Sequence, residues 1–269
     1  MSGPSRVQHS LRQLLRHRAL IQSLVARELK ARYRGSVLGV IWSFLNPLLL
    51  LLIYTFVFSV VLPGGSSRQI EHFPLFLFCG ILPWTWFASS LLESANVLIA
   101  GGGLLRKVLF PAEVLPIVTV LAGLVHFALA LPILIAFIVY ERVPVTLDVL
   151  WLPLIVADQL LLTIGLALLV SALTVHFRDL RDLLSNLLTL AFWSTPIVYP
   201  LSQAPDWARP LLLLNPFTHL AVAYQEVLVV PGPFTGWPRV IGVGVVSLAI
   251  CAIGYFVFDR LRDTFAEEV

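Results

Sequence analysis

Residues 178–182 read Arg-Asp-Leu-Arg-Asp, which sets Asp179 and Asp182 three residues apart, on one face of a helix. Carboxylates so spaced can hold Mg²⁺ against a lipid pyrophosphate, the chemistry of a membrane prenyl or phosphoglycosyl transferase. Such enzymes need a second, facing motif, and the chain offers none; a salt-bridged turn at a membrane surface is the simpler reading. Glu93, His126 and Asp158 lie inside apolar runs. Ionisable groups in such places are costly and count as functional candidates by default. Three isolated ones make no acid–base relay for a proton-driven carrier, so hydrogen bonding to neighbouring helices is preferred. The motifs GxxxxGK[ST], HExxH, CxxC and GxSxG are all missing, and GGGLLRKV at 101–108 has the wrong spacing for a phosphate loop. Cys79 and Cys251 stand in apolar runs with neither a disulfide frame nor metal spacing. No catalytic residue, metal site or cofactor of the chain's own is expected.

Aromatic and cationic residues carry the rest. Trp42, Phe44, Tyr54, Phe56 and Phe58 fall in one apolar run, and Trp84, Trp86 and Phe87 in the next. Their flat faces suit the C–H faces of sugar rings, although an interfacial belt with lipid-facing phenylalanines accounts for most of them. Trp42, Phe44, Tyr54, Trp86 and Phe87, with Glu93, are the candidates to line a conduit. Arg27, Lys30, Arg32 and Arg34 crowd the approach to a stretch with no formal charge until Arg68.

These groups need elements to hold them, and composition says where. Of 269 residues, 58% are hydrophobic and 12% charged, with a mean hydropathy of +0.91; soluble domains carry about 25% charged residues. The chain reads as a single-domain, all-α integral membrane protein. Its net charge of +3 is too small to argue for nucleic acid, and its long, polar start is unlike a signal peptide. A span needs roughly 20 apolar residues, and six runs qualify, near 37–62, 73–99, 114–140, 149–175, 183–200 and 238–258. Lys and Arg number fourteen on the side of the N-terminus and four on the other, which predicts that both termini are cytoplasmic. The domains then are a cytoplasmic segment 1–36, a transmembrane region 37–258 and a tail 259–269. Residues 207–230 are apolar but broken by Asn215-Pro216, and read as a re-entrant hairpin before the last span. Apolar residues recur helically over 11–33 and predict an amphipathic helix in the interface. Gly35 and Gly39 form a GxxxG, for close helix approach or for a flexible mouth to the first span.

The blocks RELKARYRGSVLGVIWSFLNPLL, GLLRKVLFPAEVLP and HFRDLRDLL…STPIVYP…LLLNPFTHL, in this order, resemble the transmembrane subunit of ABC-2 type polysaccharide exporters over roughly residues 15–258. The resemblance implies a homodimer of six-span subunits in a bacterial plasma (inner) membrane and two copies of a separate ABC ATPase that binds ATP and Mg²⁺. It implies a polyprenyl-pyrophosphate-linked glycan of the O-antigen, teichoic acid or capsule type as substrate; drugs or small lipids are the alternative cargo. Leu104, Leu105, Arg106, Lys107, Val108, Leu109, Phe110 and Pro111 match the helix that couples to the ATPase. Arg27, Lys30, Arg32 and Arg34 match the end of the interface helix, where cations meet the lipid pyrophosphate. Pro196, Tyr199, Pro200, Asn215 and Pro216 match the outer gate. Where many relatives place Arg after the tyrosine of the re-entrant helix, this chain has Tyr224-Gln225-Glu226, which weakens any charge-based role there.

Overall fold

The computed structural model describes residues 18–32, 34–61, 70–105, 110–177, 179–230 and 232–265, and every regular element among them is helical. Ten α-helices follow in chain order: α1 Arg18–Arg32, α2 Trp42–Phe56, α3 Phe73–Ala100, α4 Gly102–Leu105, α5 Val114–Tyr140, α6 Leu152–His176, α7 Leu180–Ser194, α8 Arg209–Leu213, α9 Pro216–Leu228 and α10 Trp237–Leu261. Four helical segments are long and apolar enough to cross a bilayer: Phe73–Ala100, Val114–Tyr140, Leu147–His176 and Trp237–Thr264. Helix α2 is apolar but shorter, prolonged by a 3-10 turn at Gly39–Ile41 and a π turn at Val57–Val61.

Helix α3 is the hub. It is buried along most of its length, and α5, α6, α9, α2 and α7 pack on it. Its aromatic rings interlock with those neighbours: Trp84 lies 5.0 Å from Phe217 and 5.8 Å from Phe192, and Trp86 lies 5.2 Å from Phe127. Helices α6 and α10 form the tightest pair. A Cβ on Gly165 would stand 2.6 Å from the backbone of Cys251, and one on Gly254 would strike the Gly165 carbonyl. Only small residues let two backbones come so near.

Most elements match the sequence reading to within a few residues. The fifth run does not: helix was expected through Pro200, yet α7 ends at Ser194. The Thr195 hydroxyl bonds back to Ala191 O at 2.7 Å and Pro196 follows, so the chain turns extended. The GxxxG also resolves to the blander option. Gly35 and Gly39 hold φ of +79° and +48°, which forms a turn, and no helix among the described residues packs on them. The apolar residues of α1 reach protein: Leu24 is buried with Val114 and Val118, flanked by Leu20, Ile21 and Val25.

Candidate functional site

At the end of the bundle where α1 meets α3, a cavity of about 390 Å³ opens between α1, α2, α3 and α5. Helix α1 has neither Gly nor Pro and is rich in straight-chain helix formers, so it runs unbroken to Arg32 before Gly35 turns it. That places Arg32 in the lining of the cavity, together with Trp42 and Asn46 of α2, Thr85, Trp86 and Ser89 of α3, and His126 of α5. Several of these groups are fixed by the fold. The Trp86 indole donates to Val120 O at 3.1 Å, the Thr85 hydroxyl to Ile81 O at 2.8 Å, and Ser43 Oγ lies 3.1 Å from His126 Nδ1. Among the described residues the Asn46 amide and the Trp42 indole have no hydrogen-bond partner.

Arg32 is also ion-paired, its Nη2 bonded to Glu93 Oε1 on α3, with both side chains about one-third exposed. Glu93 lines a second cavity of about 610 Å³, bounded also by Glu28, Asn96, Arg181 and Asp182. Two cavities therefore meet at one ion pair. Asp179 is exposed at the start of α7 while Asp182 looks into this second cavity; among the described residues no three His, Cys, Asp or Glu side chains gather closely enough to hold a metal ion. Arg27, Lys30 and Arg34 are exposed.

The conduit candidates separate. Trp42 and Trp86 line the first cavity. Phe87 is buried with its ring 4.7 Å from Phe217, Tyr54 stands 5.8 Å from Phe192, and Phe44 is half-buried, so these three contribute to the packed interior or its edge. Asp158 is buried on α6 beside Gly244, where a Cβ would come within 2.9 Å of its Oδ1.

The opposite end is tied by hydrogen bonds. Asn215 caps α9 by accepting from the Phe217 N–H at 3.0 Å, and its amide donates to Thr195 Oγ1 at 3.2 Å. The Gln225 amide donates to Pro196 O at 3.0 Å, while Tyr199 OH donates to Ser194 O at 3.1 Å. Pro196, Tyr199, Asn215 and Pro216 thus come together around the end of α7, and Pro200 leads into the turn Leu201–Gln203. The departure at 224–226 has a structural use: Gln225 holds a backbone carbonyl, and both Glu226 oxygens lie 2.7 Å from Arg239 Nη2. Here too His72 Nδ1 lies 2.9 Å from Glu141 Oε2, beside a cavity of about 670 Å³ that includes Arg142.

The coupling candidates straddle a boundary. Gly101 ends α3, Gly102–Leu105 form the short α4, and Phe110 packs beside Leu115 and Val118. Arg106, Lys107, Val108 and Leu109, and the side chains of Leu104 and Leu105, lie outside the described residues.

The pairs Arg32–Glu93, Gln225–Pro196 and Glu226–Arg239 were not anticipated; charge or amide type alone marks a side chain as needing a partner without naming it.

Comparison with known proteins supplies the context. The profile of a family described as ABC-2 type transporter matches residues 19–229. The chain is 41% identical over 262 residues to an O-antigen export system permease protein RfbA of Myxococcus xanthus, covering 96% of this chain and 98% of that one. An O-antigen export system permease protein RfbA of Klebsiella pneumoniae is 31% identical over 249 residues, covering 92% and 94%. The polysialic acid transport protein KpsM of Escherichia coli is 27% identical over 214 residues, covering 79% and 81%.

Proposed function

This chain belongs to the ABC-2 type transporter family, a family of transport proteins rather than enzymes, and on that premise we propose that it is the membrane permease of an ATP-driven polysaccharide exporter. Its substrate on this reading is a glycan carried on a polyprenyl pyrophosphate and moved outward across a bacterial inner membrane. The observation that carries the proposal is identity running almost end to end with a permease named for O-antigen export.

The finer architecture belongs to the same proposal. Gly39–Val61 and α7 cross the membrane beside the four long helices, making six spans, and α8–α9 form a re-entrant pair with both termini cytoplasmic. Two chains assemble around the path, using the exposed apolar faces of α2 and α7, where Leu48, Leu52 and Phe56 and then Leu183, Leu187 and Leu190 lack cover. Two copies of an ABC ATPase bind ATP and Mg²⁺ and push on residues 104–111. Arg27, Lys30, Arg32 and Arg34 receive the pyrophosphate; cations beside an apolar wall suit an anionic headgroup on a lipid tail. The ties among Pro196, Tyr199, Pro200, Asn215 and Pro216 form the outer gate.

The test is reconstitution. With its ATPase partner in liposomes, the chain should move lipid-linked glycan only when ATP is hydrolysed. Stimulation by drugs with no response to glycan would redirect the cargo assignment, and Mg²⁺-dependent turnover by the chain alone, lost in Asp179→Asn and Asp182→Asn, would overturn it.

A further inference from the structure

The geometry points to the Arg32–Glu93 ion pair as a latch that an anionic phosphate headgroup opens, handing Glu93 from Arg32 to Arg181. The inference rests on the capture role proposed above for Arg32 and adds how capture is reported to the rest of the molecule.

The first observation is position. Arg32 faces the smaller cavity and Glu93 the larger one, so the pair is the contact at which the two meet. Only one guanidinium nitrogen meets the carboxylate, and a guanidinium carries five N–H donors. Arg32 lines the smaller cavity together with Asn46 and Trp42, whose amide and indole are further N–H donors. A phosphate takes a guanidinium in a bidentate grip, and it carries more charge than one carboxylate. A pair one-third exposed to solvent is weakly held, so a phosphate arriving there displaces the carboxylate.

The second observation is that the displaced carboxylate has somewhere to go. Arg181 lines the same cavity as Glu93 and has no ion-pair partner among the described residues. Glu28 and Asp182 line it as well. Two further carboxylates make that cavity hostile to an unpaired Glu93, and Arg181 is the cation lining it that Glu93 would take once Arg32 is occupied. A two-position element is what a switch requires.

The third observation is where the partners lead. Glu93 stands two turns before Ala100, after which Gly101 breaks the helix and α4 begins. Helix α1 rests on Val114 and Val118, just beyond the same segment. Glu93 thus belongs to the helix that leads into residues 101–113, and Arg32 to the helix that packs on the one that follows them.

The test measures binding of farnesyl pyrophosphate to the full chain in phosphatidylcholine nanodiscs, with inorganic pyrophosphate and farnesol as controls. Glu93→Gln should bind farnesyl pyrophosphate about three- to fivefold more tightly, the factor expected from removing a partly exposed competitor. Arg32→Gln should bind at least about tenfold more weakly. Arg181→Gln should weaken binding in the native background and change nothing once Glu93→Gln is present, the non-additivity that marks a handover. Inorganic pyrophosphate should rank the variants identically, and farnesol should not distinguish them. Unchanged or weaker binding in Glu93→Gln, with Arg32→Gln still impaired, overturns the latch and leaves phosphate capture standing. If neither variant shifts affinity, or farnesol reproduces the ranking, capture at Arg32 falls as well. Should Glu93→Gln fail to fold, Glu93→Ser and the Arg181→Gln measurement decide the same question.

Discussion

The two ends of α3 are fastened in opposite ways. Around its N-terminal end the neighbouring segments are held by short bonds to backbone and by satisfied pairs: Asn215 to Thr195, Gln225 to Pro196, Glu226 to Arg239 and His72 to Glu141. At its other end one pair about one-third exposed, Arg32–Glu93, stands between two cavities, one of them lined by Arg181, which has no ion-pair partner among the described residues. Buried amides bonded to carbonyls cost free energy to open, because the freed groups find no water. A partly exposed ion pair opens at little cost, because water and other ions replace it. The amide bonds of Gln225 and Asn215 set the first end apart, and the proposed latch lies at the end that lacks them.

Replacing Arg106 and Lys107 together with Glu should break the comparison most severely, if force enters at the latch end. Export by the reconstituted complex should be lost while membrane insertion and ATP hydrolysis persist, measured by transport and ATPase assays side by side. At the first end, the double change Asn215→Ala with Gln225→Ala should lower stability by roughly 2–4 kcal/mol, since each leaves a buried partner unsatisfied. Thermal unfolding of the purified chain reads this, and a drop no larger than that of an exposed control would dissolve the contrast. Arg239→Ala, which removes a partly exposed pair, should cost about 1 kcal/mol or less in the same assay. Glu93→Gln should shift the unfolding midpoint least of all while changing pyrophosphate affinity, so that stability and ligand response part company. A large stability loss there would make the pair a structural tie like those at the other end.

Much of the scaffold was readable in advance. The run 114–140 coincides with Val114–Tyr140, and 73–99 falls one residue short of Phe73–Ala100. Hydropathy succeeds here because a helix that must lie in hydrocarbon declares its length in consecutive apolar residues. The break at Asn215-Pro216 was equally plain, since proline removes a donor and restricts the residue before it. The end of α7 was misjudged because Ile197, Val198 and Tyr199 prolong the apolar run; burial of Ile197 and Val198 against the bundle, not helix formation, satisfies them. For the site, residue types pointed to Arg32 and Glu93 individually but not to each other, 61 residues apart.

Composition and periodicity settled that this chain lives in a membrane as apolar helices, and the order of its motifs settled its kinship. Folding alone decided which aromatic rings fill the interior and which face a cavity, what Gln225 holds, and that Arg32 meets Glu93. The reason is physical: solvent preference is a property of each side chain and can be summed along the sequence, whereas a pair exists only when two distant segments are brought to the same place.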